Sequence, residues 1–382
     1  SFLLESLSAL PFLILILLKY FCYMFVKNLK IINFKNHPEK SFDFSADINC
    51  FVGNNGAGKT NILDALHYIS MGKSFLGISD FQNIKENEDF FNIEAEIESE
   101  EKSDIIKILL QKEAKKIIKK NEKTYERMAD HIGFLPSVMI SPYDANLISD
   151  GGESRRKFLD TMISQTDSEY LFNLIQYQKT LQQRNALLKY FQKNRTFDLD
   201  SLEIYNEPIT KFGTQIFKKR QLFVEAILPT IQHFYTIISK GNEKVTVIYE
   251  SDLNEDNFEN LLTKNLEKDR QLTYTSKGIH KDDLRFEMNG NLIKKFGSQG
   301  QQKSFLIALK LAQIKRIKEI TNKNPILLLD DIFDKLDDNR VSQLIELVNE
   351  QNFGQIFITD THKERTESVV KRINEESKIF EI

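Results

Sequence analysis

The chain has 382 residues, 28% of them charged and 41% hydrophobic, with a net charge of −3. That length accommodates more than one structural unit with a sizeable core. The small negative charge excludes a globally basic nucleic-acid binder, so any such contact must use a local basic surface. The two cysteines, Cys22 and Cys50, form no disulfide or metal pattern, which fits a reducing, cytoplasmic setting.

Residues 1–23 stand apart. The apolar core Pro11 to Leu18 is shorter than the ~20 residues of a spanning helix, and neither a basic start nor a small-residue cleavage site accompanies it. Met24 leads straight into strand-like sequence. We read 1–23 as an N-terminal extension outside the functional fold, with a membrane anchor as the competing reading.

Met24 to Phe34 and Ser41 to Phe44 read as strands joined by a turn at Asn36-His37-Pro38. Ile48 to Val52 is a further strand, and Ile62, Leu66 and Ile69 lie on one face of a following helix. Between them stands Gly53-Asn54-Asn55-Gly56-Ala57-Gly58-Lys59-Thr60, with Asn61 behind it. Glycine, four residues, then Gly-Lys-Thr between a strand and a helix is a phosphate-binding loop. Its N–H groups and the helix N-terminus face one anion. Lys59 is expected to reach the β/γ-phosphates of ATP, and the Thr60 hydroxyl to ligate Mg²⁺.

Phe90 to Glu98 and Asp104 to Leu110 alternate as half-buried strands. Lys112, Lys115, Lys116, Lys119, Lys120 and Lys123 follow, read either as a phosphate-contacting hairpin or as a solvated sheet edge. Glu153 to Lys193 and Leu202 to Ser239 carry helical spacing, with Pro208 and Pro229 expected to bend or interrupt the second segment. This is a helical arm of about 50 Å. Val245 to Glu250 and Leu284 to Glu287 return to strand alternation.

Ser298-Gln299-Gly300-Gln301-Gln302-Lys303 precedes a helix expected over Ser304 to Ile320, which places a polar loop at a helix N-terminus. Ile326 to Leu329 reads as a buried parallel strand ending in Asp330 and Asp331, where ligands of open α/β sheets sit. Asp330 is expected to hold Mg²⁺ and Asp331 to orient or deprotonate the attacking water. Gln355 to Thr359 is another buried strand, ending at Asp360-Thr361-His362, the candidate γ-phosphate sensor. The fold class is therefore α/β with an inserted helical arm.

The order of P-loop, Ser-Gln-Gly-Gln-Gln loop and acid-tipped strand resembles ABC-type ATPases. Several stretches narrow this to the RecF family of their SMC-like branch. They are Phe134-Leu135-Pro136 with Ser141 to Asp144, Arg155 to Asp160, Leu181 to Leu188, Gly278 to Leu284, Phe296 to Lys303, and Ile326 to Asp331 with Leu336-Asp337. The resemblance implies an ABC-type P-loop head with a mixed β-sheet: residues 24–150 its N-terminal lobe, 151–240 the arm, and 241–382 its C-terminal part with the signature loop and Walker B strand. It implies a cytoplasmic, slowly hydrolysing ATPase that dimerises on ATP and binds DNA at single-strand gaps, with RecO and RecR, to help load RecA. Ser298, Gly300 and Gln301 would meet the partner subunit's ATP, and Leu336-Asp337 would form the loop that crosses the dimer. Gln82 is the candidate Mg²⁺-sensing glutamine, with a plain surface glutamine as the competing reading. Aspartate at 331 departs from the glutamate of most ABC proteins, and Asp360 stands where many place a switch histidine, with His362 two residues on. Arg155, Arg156, Arg184 and Lys281 touch DNA phosphate or pair internally with acids such as Asp160 and Asp282; both readings stand. Rivals are the ATPase subunit of a membrane transporter, a long coiled-coil organiser and an ATPase that switches a protein partner.

Overall fold

The computed structural model of the chain describes residues 24–100, 102–241, 243–332, 347–348, 354–374 and 376–382. The expected extension, 1–23, and Leu336-Asp337 lie outside the described residues. The described residues form two compact units: the chain up to Pro142 together with Gln313–Ile382, and Tyr143–Ala312.

The first unit begins with β1 (Met24–Phe34), β2 (His37–Asp43), β3 (Ile48–Val52), α1 (Lys59–Met71), β4 (Phe90–Ser99), β5 (Ser103–Gln111), β6 (Ile117–Lys120), β7 (Lys123–Thr124) and β8 (Ser137–Ile140). Among the described residues one sheet is antiparallel throughout, in the order β2-β1-β4-β5-β6-β7. The turn expected to include Pro38 is shorter than read, because Pro38 lies within β2. It is tolerated there because β2 is an edge strand. The lysine run builds the opposite edge. Lys116 pairs with Asp80, Lys120 with Asp104, Lys112 with Asp89 and Lys119 with Glu122. These pairings support the sheet-edge reading.

The second unit holds α2 (Gly152–Ser164), α3 (Ser168–Asn194) and α4 (Leu199–Ser239). A break separates α2 from α3, where the Asp167 carboxylate caps α3 by accepting from Tyr170 N at 2.9 Å. α4 runs unbroken for 41 residues, about 60 Å at the usual rise. Contrary to the expectation of an interruption, it continues through Pro208 and Pro229. Each proline removes one N–H, but the acceptors four residues earlier belong to Ile204 and Glu225, which lie on the exposed face where water can satisfy them. Leu202, Ile209, Ile216, Phe223 and Ile231 form its buried stripe.

β9 (Val245–Glu250), α5 (Phe258–Lys264), α6 (Leu266–Leu272), β10 (Asp283–Met288), β11 (Asn291–Leu292) and α7 (Gln299–Thr321) follow. β9, β10 and β11 pair with one another, α4 packs on β9 and α2 on β10. The second unit therefore extends well past residue 240, because these strands have their own pairing partners.

The chain returns to the first unit within α7, at Gln313, and continues with β12 (Ile326–Leu329), β13 (Ile356–Asp360), α8 (Lys363–Ile373) and β14 (Lys378–Glu381). They complete a parallel sheet in the order β14-β3-β13-β12-β8. Every residue of β3, β12 and β13 is buried, as parallel strands covered on both faces must be. α1 packs against β1, β4 and β5 of the antiparallel sheet and against β8, β12 and β13 of the parallel one. That two-sided packing buries Leu63, Ala65 and Tyr68 as well as the expected face of Ile62, Leu66 and Ile69.

Candidate nucleotide-binding site

β3 delivers the chain into the glycine loop at the carboxyl end of the parallel sheet. Gly53, Gly56 and Gly58 take φ of 158°, 83° and 100°, a region closed to most side chains. At Gly53 a Cβ would also lie 2.5 Å from the Ile382 carbonyl oxygen. α1 starts at Lys59 with no acidic residue in its first turn and no side-chain cap, so its N-terminal dipole is left for an anion. Lys59 donates to Gly53 O at 2.8 Å and Asn54 O at 3.0 Å, which closes the loop around its own ammonium. Asn55, Gly56, Gly58, Lys59, Thr60, Asn61 and Asp331 line one open cleft.

The acids arrive from β12. Asp330 Oδ1 accepts from Thr60 Oγ1 and from Thr359 Oγ1, both at 2.8 Å. Burial raises the Asp330 carboxyl above its ordinary range, the two threonine hydroxyls oppose that shift, and the neighbouring Asp331 adds to it. A divalent cation would satisfy this carboxylate. A hydroxyl and a carboxylate oxygen converging on one point suit Mg²⁺, which keeps few protein ligands and takes the rest from phosphate and water. Asp331 departs from the extended geometry expected of a strand end: its φ is 45°, and Thr359 Oγ1 accepts its N–H at 2.9 Å. The left-handed turn, and not strand alternation, sets its direction.

Thr359 was visible in the sequence only as a strand end. The parallel pairing of Leu329 with Ile358 brings it beside Asp330. In the sequence Asn36 and His37 read as turn residues, yet Asn36 donates to Ala57 O and His37 Nε2 lies 3.0 Å from Gly58 O. No local signal would have found these contacts.

Gln82 does not line the cleft. It is exposed, and its amide oxygen accepts from Ser79 N at 2.9 Å and Ser79 Oγ at 3.1 Å in a capping box. Asp360 is occupied by Arg365 Nη2 at 2.7 Å and Thr366 Oγ1 at 2.6 Å, and exposed His362 caps α8 without a side-chain bond.

Ser298, Gly300 and Gln301 belong to the second unit. The helix expected from Ser304 starts earlier, at Gln299, so Gly300 and Gln301 lie in its first turn and Ser298 caps it. Ser298 Oγ accepts from Gln301 N at 3.2 Å and Gln301 Oε1 accepts from Ser298 N at 2.8 Å. In the same unit Arg184, fully buried, donates to Asp269, Thr275 and Asn206. Arg155 clamps Asp283 through two nitrogens, and Arg156 donates to the Asp282 carbonyl. Lys281 sits over the Tyr274 ring. The carboxylates of Asp160 and Asp282 are taken by Arg220. These contacts support internal pairing for the three arginines.

Residues 25–380 match the family described as RecF/RecN/SMC N terminal domain. The chain is 53% identical to the DNA replication and repair protein RecF of Flavobacterium johnsoniae, over 94% of this chain and 100% of the relative. It is 45% identical to the protein of the same name from Phocaeicola vulgatus, over 94% and 96%. The fold matches a solved structure described as the recombination mediator protein RecF-ATPrS in the RecFOR pathway. The TM-score is 0.84 at 31% identity, covering 94% of this chain and 96% of that one. An Smc head bound to the C-winged helix domain of ScpA shares the fold, with a TM-score of 0.52 at 16% identity over 90% of this chain and 91% of that one.

Proposed function

The chain belongs to the RecF/RecN/SMC family as one of its RecF proteins, and on that premise we propose that it is an ATP-dependent DNA-binding protein of replication and recombinational repair. ATP and Mg²⁺ bind at Gly53 to Asn61 with Thr60 and Asp330, and Asp331 prepares water for slow hydrolysis. Two copies close on ATP, each offering Ser298, Gly300 and Gln301 to the other's nucleotide. The closed dimer holds DNA at single-strand gaps in the cytoplasm and works with RecO and RecR to help load RecA. The observation that carries this reading is the convergence of the P-loop threonine and the Walker B aspartate at 2.8 Å. Full-length likeness to proteins named for DNA replication and repair disfavours the transporter-subunit alternative.

The test is gapped-DNA binding and sizing of the protein in ADP and in ATP, beside Lys59→Met. ATP should produce a DNA-bound dimer in the parent only. A parent that stays monomeric and free of DNA in ATP, or a Lys59→Met protein that behaves like the parent, overturns the proposal.

A further inference from the structure

Three consecutive side chains, Lys35 and Asn36 of the β1–β2 turn and His37 at the start of β2, hold the P-loop and the helix behind it. Lys35 and Asp64 of α1 form an ion pair with side chains 8% and 0% exposed. Asn36 donates from Nδ2 to Ala57 O at 3.3 Å, and its Oδ1 accepts from Asn61 Nδ2 at 2.8 Å. His37 is buried, and its Nε2 lies 3.0 Å from Gly58 O. A carbonyl oxygen only accepts, so Nε2 carries the proton; burial keeps the ring neutral at physiological pH by lowering its pKa. The fit is close, since a Cβ on Gly58 would lie 2.4 Å from Asn36 Nδ2 and 2.7 Å from His37 Nε2.

A trans peptide points its carbonyl and its N–H in opposite directions. Anchoring Ala57 O therefore orients the N–H of Gly58, and the His37 bond, added to those Gly58 O accepts from Asn61 N at 2.9 Å and Ile62 N at 3.2 Å, fixes the plane that orients the N–H of Lys59. Those are the donors a phosphate meets at the end of a P-loop. We infer that Asn36 and His37 are positioning residues that hold the Ala57–Gly58 and Gly58–Lys59 peptide planes of the P-loop in their anion-binding orientation before nucleotide arrives. This rests on the reading of the loop as an ATP site. A loop already ordered spends less of the phosphate interaction on ordering itself, so the effect falls on affinity and not on the hydrolytic step.

His37→Leu keeps bulk and removes the donor; His37→Gln restores an N–H that reaches Gly58 O. Titration of Mg-ATP and Mg-ADP into each protein, with steady-state hydrolysis, separates the roles. In His37→Leu, affinity for both nucleotides should fall roughly tenfold, the loss of about one hydrogen bond. KM should rise with it and kcat stay within about twofold, and His37→Gln should recover most of the affinity. Asn36→Ala carries the same test should His37→Leu fail to fold. Parent-like affinity in the folded variants, a fall in kcat at unchanged KM, or no rescue by glutamine overturns the inference. A parent that binds no nucleotide overturns the ATP-site reading itself.

Discussion

Thr60 donates its hydroxyl proton to Asp330 Oδ1 across 2.8 Å, although 270 residues separate them in the chain. Thr359 donates to the same oxygen and also accepts from Asp331 N, so one strand-end threonine orders both acids. The hydroxyls offset part of the cost of burying Asp330.

That arrangement separates the two carboxylates by experiment. Asp330→Asn keeps an acceptor for both threonines and removes a buried charge whose pKa is raised. The nucleotide-free protein should therefore resist urea at least as well as the parent, while Mg-ATP affinity falls about tenfold or more. Asp331→Asn should leave Mg-ATP binding and dimer closure intact and slow hydrolysis by ~10²–10⁴-fold, so DNA is held longer. Urea midpoints and DNA residence times check both. Equal binding defects, or faster DNA release by Asp331→Asn, would reverse the assignment.

Ser298 caps α7, so a bulky replacement there mixes two effects. Loss of the cap alone costs about 1 kcal/mol. Ser298→Asp preserves an acceptor for Gln301 N and adds a negative charge at the proposed seat of the partner's γ-phosphate. Its unfolding midpoint and monomer affinity for ATP should match the parent, and ATP-dependent dimerisation should be lost. A normal dimer would contradict the trans role.

Arg184 serves the fold of the second unit. Its guanidinium is fully buried against Asp269 at 2.8 Å. Arg184→Leu should destabilise the protein by about 3–5 kcal/mol, because Asp269 is left as an uncompensated buried charge. Urea denaturation reads the loss. A folded, equally stable variant that binds DNA poorly would restore the phosphate-contact reading.

His280 makes stability depend on pH. Its Nδ1 accepts from Tyr177 OH at 2.7 Å while Nε2 donates to Thr275 O at 2.9 Å, and burial pushes its pKa down to about 4. The unfolded chain takes up a proton near 6.5 that the folded one refuses until about 4. Stability from this group is therefore complete above about 6.5 and is lost as pH falls toward 4. Asp282, pushed up to about 6 by burial, has the opposite sign over much of that window. Comparison with His280→Gln isolates the histidine: the melting temperature of the variant should fall less than that of the parent between pH 7 and 4.5. Parallel profiles would refute the assignment.

The nucleotide loop, the buried strand before Asp330 and the long helices were legible because each is a local pattern. Glycine spacing, an unbroken apolar run and a helical stripe all fall within a few turns of chain. The resemblance to RecF proteins rested on such stretches too. Tertiary structure decided what touches what. Strand register brought Thr359 to Asp330, and the packing of β1 on α1 brought Asn36 and His37 to Ala57 and Gly58. The packing of the second unit gave Asp160 and Asp282 to Arg220, left Arg155 to Asp283, and kept α4 continuous through two prolines whose orphaned acceptors face outward. Local sequence sets which conformations are cheap. Which polar groups end up within 3 Å of each other depends on the pairing of segments far apart in the chain, and no spacing rule along the sequence encodes that distance.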